Sequence, residues 1–256
     1  MTRGSLATPV GARALVAAEL LKIRSTRAAL GLMIGMVALA LIALAGTLAA
    51  YPAEVRLDTD DGIGAVLGLA GVAGNFSLLL GVLSSTGELR HGTAVQAFLA
   101  VPSRLPVLLA KVAACALVGL LFAAVSGLIC LAVGLPWLAS RGQAVSLFDP
   151  TVWRVLGGAG LAAALYGALG VGLGSLVRRQ GWALAVAVGW FLVAETVLLV
   201  TQPDLAQWLP GGAASALAGA GAGLLLPAGV GGLLLAAYAT AFVGAGGWRL
   251  DRGEIG

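Results

Sequence analysis

The chain has 256 residues, of which 60% are hydrophobic and only 10% charged, with a formal net charge of +4. A soluble domain carries roughly 25% charged residues, so this chain could not cover its own surface in water, and its composition asks for a lipid bilayer. Its 15 Lys and Arg residues are scattered between apolar runs, with no basic stripe or aromatic platform, which excludes a nucleic-acid surface.

The first element is amphipathic. In Gly11 to Arg27, GARALVAAELLKIRSTR, the residues Val16, Leu20 and Ile23 recur at helical spacing, while Arg13, Glu19, Lys22 and Arg24 lie mainly off that stripe. This pattern predicts a helix lying along the inner membrane surface and leading into the first span, so residues 1–27 read as a cytoplasmic tail plus an interfacial helix. The late start and length of the first apolar run argue against a secretory signal peptide.

Apolar runs long enough to cross a bilayer follow at about 28–51, 62–85, 106–135, 154–177, 181–201 and 229–247. All lie in one transmembrane domain covering residues 1–256. Six spans put both termini on one side. That side carries twelve Lys and Arg, against three (Arg56, Arg141, Arg154) on the other. Positive residues favour the cytoplasm, so both ends are expected there, in a multi-pass protein of the bacterial cell membrane. The loop with Glu54, Asp58, Asp60 and Asp61 then faces out.

Within span two, Asn75 reads as a helix-to-helix hydrogen bond rather than a ligand contact. Span three holds the two cysteines, Cys115 and Cys130, which read as small buried hydrophobes. One histidine and two such cysteines build no metal site. The stretches Gly170 to Gly174 (GVGLG) and Gly219 to Gly223 (GAGAG) lack the lysine of a phosphate loop and read as helix packing. No catalytic motif is present, so no enzyme activity is expected.

Glu195 is the one acidic residue inside a span. Burying it ionised at the bilayer centre would cost at least ~3 kcal/mol. It reads either as a polar point on a substrate or proton path, or as a carboxyl hydrogen-bonded to a neighbouring helix. Residues 201–227 read as a large apolar extracellular loop, re-entrant into the outer leaflet, with Pro210-Gly211-Gly212 and Pro227 as breakers.

The polar chemistry concentrates between spans two and three, in Ser85 to Lys111. Thr93 and Gln96 fit a capping box. A short cytoplasmic helix is expected over 93–100, with Val95, Phe98 and Leu99 as an apolar face and Pro102 as its stop. Such a knob suits a groove on a partner protein.

The stretch GELRHGTAVQAFLAVPSRLPVLLAK resembles the segment after span two in permease subunits of ABC-2 type ATP-binding-cassette transporters, actinobacterial ones in particular. Glu88, Arg90, Gly92, Thr93, Pro102, Ser103, Arg104 and Lys111 carry the likeness. AAELLKIRSTR is similar to that family's connecting helix, and WLPGGAASAL to its loop between spans five and six. The resemblance implies a permease that binds no cofactor itself. ATP and Mg would sit in a separate cytoplasmic ATPase dimer, docked on the helix at 93–100. The ATPase-coupling residues would be Glu88, Arg90, His91, Gly92, Thr93, Val95, Phe98 and Leu99. It also implies a second permease subunit, in a homodimer or heterodimer, and export of a hydrophobic or amphiphilic substrate. Two alternatives stand beside it: an ion-coupled secondary transporter using Glu195, and a non-transport membrane assembly protein.

Overall fold

A computed structural model of the chain describes residues 11–52, 55–91, 104–143, 145–177, 179–219 and 226–252. Among the described residues the fold is all-helical. In chain order the helices are α1 (Ala12–Ser25), α2 (Arg27–Ala50), α3 (Asp60–Leu67), α4 (Val72–His91), α5 (Arg104–Ser140) and α6 (Pro150–Val177). Then come α7 (Gln180–Val186), a π-helical segment (Ala187–Ala194), α8 (Glu195–Thr201), α9 (Pro203–Ala206), α10 (Pro210–Leu217) and α11 (Ala228–Arg252). A 3₁₀ turn, Gly68–Gly71, joins α3 to α4.

Six stretches are long and apolar enough to cross a membrane: Arg27–Ala50, Asp60–Gly87, Leu105–Ser140, Pro150–Val177, Gln180–Thr201 and Ala228–Arg249. The third runs past Pro136, where the sequence pattern suggested a stop. A proline removes one backbone donor, but near the end of a helix that loss falls in the final turns. There Ser140 Oγ donates to the Trp137 carbonyl at 2.6 Å and holds the last turn.

The centre of the bundle is α6. It packs on α4, α5 and α11, and most of its residues are buried. Its small residues explain this position. A methyl group added at Gly170 would strike Leu78 of α4, one at Gly174 would meet Val82 and Ser85, and one at Gly172 would strike Phe242 of α11. The GVGLG run is therefore a packing device, letting two neighbours approach one backbone from different sides. By contrast α2, the α7–α8 span and α11 leave long apolar faces exposed, including Ile34, Ile42, Val186, Val197 and Leu233.

Three apolar clusters fill the bundle. One, which reaches the terminal end, holds Ile23, Met36, Leu80, Leu108 and Phe122. A second, on the side of the α7–α8 span and α11, holds Leu78, Tyr166, Leu169, Phe191 and Leu235. At the far end, Leu44, Ile63, Leu67, Leu138 and Val155 form the third. The close of α11 lies against the start of α5 and the end of α6: a Cβ at Gly247 would lie 3.3 Å from Leu108, and Arg249 Nη1 donates to the Leu176 carbonyl at 2.7 Å.

The far end is closed by side chains of the α5–α6 loop. Gln143 accepts from the Leu57 N–H at 2.7 Å and donates to the Val55 carbonyl at 2.9 Å. It thus pairs with an extended segment as a strand would. Gly142, at φ 72°, provides the left-handed turn that aims it. Arg141 donates to the carbonyls of Tyr51 and Pro52 and lies 3.9 Å over the Trp137 ring. Thr59 caps α3, accepting from the Gly62 N–H at 3.2 Å, and Asp60 and Asp61 lie in the favourable first turn.

Candidate functional site

Two buried carboxyl groups, one toward each end of the bundle, mark the candidate sites. The first is Glu19. Its helix, α1, is separated from α2 by Thr26 alone, yet it packs mainly on α5. The stripe Val16, Leu20 and Ile23 faces the terminal-end cluster, with Ile23 fully inside it. The apolar stripe read from the sequence is thus covered by protein. The opposite face, with Arg13, Leu21 and Arg24, is exposed.

Glu19 lies just beside that stripe, where the partner of its charge also lies. Its Oε2 accepts from Lys111 Nζ at 2.7 Å, and its Oε1 from Lys22 Nζ at 2.5 Å. Side chains of Glu19 and Lys111 are 5% and 6% exposed, whereas Lys22 is 49% exposed. Lys111 also reaches the carbonyl and hydroxyl of Ser84 on α4, each at 3.4 Å. One ammonium group therefore joins three helices, α1, α4 and α5. A buried pair of this kind is costly to desolvate and costs more to break than to omit, so its presence fixes register.

Lys111 stands in the first turns of α5, just after the polar segment between spans two and three. Of the residues expected to dock a partner, Gly92, Thr93, Val95, Phe98 and Leu99 lie outside the described residues. For Glu88, Arg90 and His91 the backbone closes α4, and their side chains likewise lie outside the description. Asn75 is half-buried in α4.

The second carboxyl is Glu195, 3% exposed. Its Oε2 accepts the backbone N–H of Gly211, at the start of α10. Leu209 precedes that helix and has no side-chain acceptor, so Glu195 supplies the cap from another helix. Pro210-Gly211-Gly212 is built for this contact. Pro210 sits at the first helical position, where a missing donor costs nothing. A Cβ at Gly211 would strike Glu195 itself, and one at Gly212 would strike the Ala206 carbonyl. Residues 201–227, read from sequence as a loop, thus contain the helices α9 and α10. The pair packs against α8, α6 and α11, with Tyr238 donating to the Trp208 carbonyl at 3.1 Å.

The π segment aims this carboxyl. Its ladder closes with the Glu195 N–H on the Trp190 carbonyl, one residue beyond the α-helical partner. In an α-helix Trp190 and Glu195 would point about 140° apart. The wider turn brings the Trp190 indole up to the Glu195 carboxyl. Oε1 of Glu195 is buried and has no hydrogen-bond partner among the described residues.

Sequence reasoning found Glu19, Lys22 and Glu195 as single residues and missed what they touch. The Glu19–Lys111 contact spans 92 positions, and no local pattern announces it. Gln143 was missed altogether, as a lone amide after Gly142. Among the described residues no group of His, Cys, Asp and Glu is arranged to hold a metal ion. No protein-family model matches the chain, and no curated protein matches it significantly.

Proposed function

We propose that the chain is the membrane-spanning permease subunit of an ABC-2 type transporter, exporting a hydrophobic or amphiphilic substrate from a bacterial cell. In this reading both termini are cytoplasmic, and α1, Lys111 and the segment between α4 and α5 lie at the inner membrane face. The far end, with Asp58, Asp60 and Asp61, faces out. A separate ATPase dimer, holding ATP and Mg, docks on residues 93–100, and two permease subunits pair in the bilayer.

The observation that carries this reading is the Glu19–Lys111 joint. Residues 92–103 connect α4 to α5, and the joint lies just beyond them, tying α5 to α1 and to Ser84 of α4. A push delivered to that segment reaches the start of α5. The ion pair passes it to α1, and Thr26 passes it to α2. Two spans and the surface helix then move together, as coupling to an external motor requires. The resemblance of Glu88 to Lys111 to the coupling region of such permeases, and the positive charge of this side, agree with it.

The α9–α10 hairpin, folded under Glu195, would close the exit. A short helix at that depth must bury the free backbone groups of its ends in protein, and at the start of α10 Pro210, Gly212 and Ala213 are buried.

The test is Phe98→Asp. A charge in the docking face is expected to abolish co-purification of the ATPase and transport in vesicles, with membrane insertion unchanged. A variant that still binds the ATPase and transports normally would remove the reading.

A further inference from the structure

The turn between α5 and α6 carries the most exposed large apolar side chain among the described residues. Phe148 is 91% exposed, beside Leu147 at 51%. Hydrogen bonds and packing fix this exposure. At the base of the turn Gln143 is clamped to the segment 55–57, and Val145 packs on the far-end cluster. At the tip the Phe148 N–H donates to Ser146 Oγ at 3.1 Å, and the Asp149 N–H donates to the Ser146 carbonyl at 3.0 Å. Asp149, the one charged residue of 145–149, accepts from the Thr151 N–H at 2.8 Å, so its carboxylate turns back to the start of α6.

The turn is also tied to a particular face of α6. Trp153 Nε1 donates to the Leu147 carbonyl at 2.8 Å. Trp153 heads a row with Gly157 and Leu161, exposed at every fourth residue and therefore on one side of the helix. The rest of α6 is mostly buried in the bundle, so this row is where the span meets lipid. The helix has 28 residues, about 42 Å at 1.5 Å per residue. That exceeds the ~30 Å hydrocarbon core, which places its first turn in the headgroup layer. An indole with its ring on an apolar surface and its N–H on a carbonyl suits that boundary. Trp182 and Trp248, 62% and 59% exposed, stand at the opposite end of the bundle. Leu147, Phe148 and Trp153 are too few for a stable protein interface, which takes about 20–30 residues a side.

We propose that Leu147 and Phe148, latched by the Trp153 indole, form a wedge that enters the lipid leaflet at the far end, the outer one in the reading above. The partner is the boundary between headgroups and acyl chains. The wedge anchors the α5–α6 turn to the membrane surface and depends on the bilayer alone, not on the permease reading.

The experiment attaches a nitroxide to Phe148→Cys in the full chain, reconstituted in phosphatidylcholine vesicles. Cys115 and Cys130 are buried, and the unsubstituted chain carried through labelling is the blank. Collisions with dissolved oxygen, which concentrates in lipid, are compared with those of a water-soluble nickel chelate. Oxygen is expected to dominate, at a depth of about 5–10 Å below the phosphates. A label at Leu147→Cys should read a similar depth. Arg56→Cys, at a side chain 77% exposed, supplies the aqueous reference. Trp153→Phe keeps an apolar ring without the N–H, and should move the label at 148 toward that reference.

Collisions at 148 dominated by nickel, as at 56, overturn the proposal by placing the tip in water. Shielding from both reagents at 147 and 148 overturns it by revealing protein, such as a second copy of the chain, over the turn. A depth unchanged in Trp153→Phe overturns the latch.

Discussion

Glu19 and Glu195 are both carboxyl groups, both almost completely buried, and they are held in opposite ways. Glu19 is neutralised by two lysines, one buried and one half in solvent. Glu195 meets a backbone N–H at the start of a short helix and the Trp190 indole, and its Oε1 has no hydrogen-bond partner among the described residues. The first arrangement is a closed joint, with every strong group satisfied by a neighbour. The second is an open one, since a cap is worth less than an ion pair and leaves an acceptor for something else.

The largest expected effect breaks the closed joint. Lys111→Met removes the buried cation and leaves Glu19 with Lys22 alone, at an expected cost of about 3 kcal/mol. Thermal unfolding of the detergent-solubilised protein checks it. The double variant Glu19→Leu/Lys111→Met should recover most of that loss, because removing both charges also removes the desolvation penalty. If the single and double variants unfold alike, the pair is not the joint described.

Glu195→Ala should cost less, about 1 kcal/mol, the usual worth of a helix cap. The loss should be local, with faster amide exchange at the start of α10 and little change in α6. An effect as large as that of Lys111→Met would erase the contrast between the two carboxyls. Gln143→Ala sharpens it from another side. There a neutral amide bridges the Val55 carbonyl and the Leu57 N–H, and its removal should cost about 1–2 kcal/mol, seen as faster exchange at Leu57.

The smallest effect belongs to Asp58. The hydrogen bond from Arg56 holds its carboxyl below the ordinary value of 3.8 in the folded chain. A depressed value adds stability above the ordinary value, and that contribution fades as pH falls through the folded one. The pair lies at the surface, with Arg56 exposed and Asp58 half-buried, so Asp58→Asn should leave the unfolding temperature nearly unchanged at neutral pH. In the unsubstituted chain, carboxyl-detected NMR should find the Asp58 midpoint below 3.8.

Much of the fold was legible in the residues. Apolar runs bounded by charges mark six spans because a bilayer demands about 20 apolar residues from each, and this demand is local in sequence. The breakers Pro210-Gly211-Gly212 were legible as a break, but their purpose was not. Each glycine there answers a carbonyl or carboxyl brought in from elsewhere. Span three was read to about residue 135, and its helix continues through Pro136 to Ser140. The coupling residues from Gly92 to Leu99 lie outside the described residues, so that part of the candidate site rests on the sequence.

By itself, then, the sequence determined the solvent this chain folds in, the number of crossings and the charge difference between the two ends. Only the tertiary structure decided which face of α1 meets protein, that Glu19 belongs to Lys111, and that Glu195 caps α10. The reason is physical. In a membrane protein the surface toward lipid is as apolar as the core, so hydrophobic periodicity does not say which side is inside. Contacts between polar groups 16 or 92 positions apart leave no trace in local spacing.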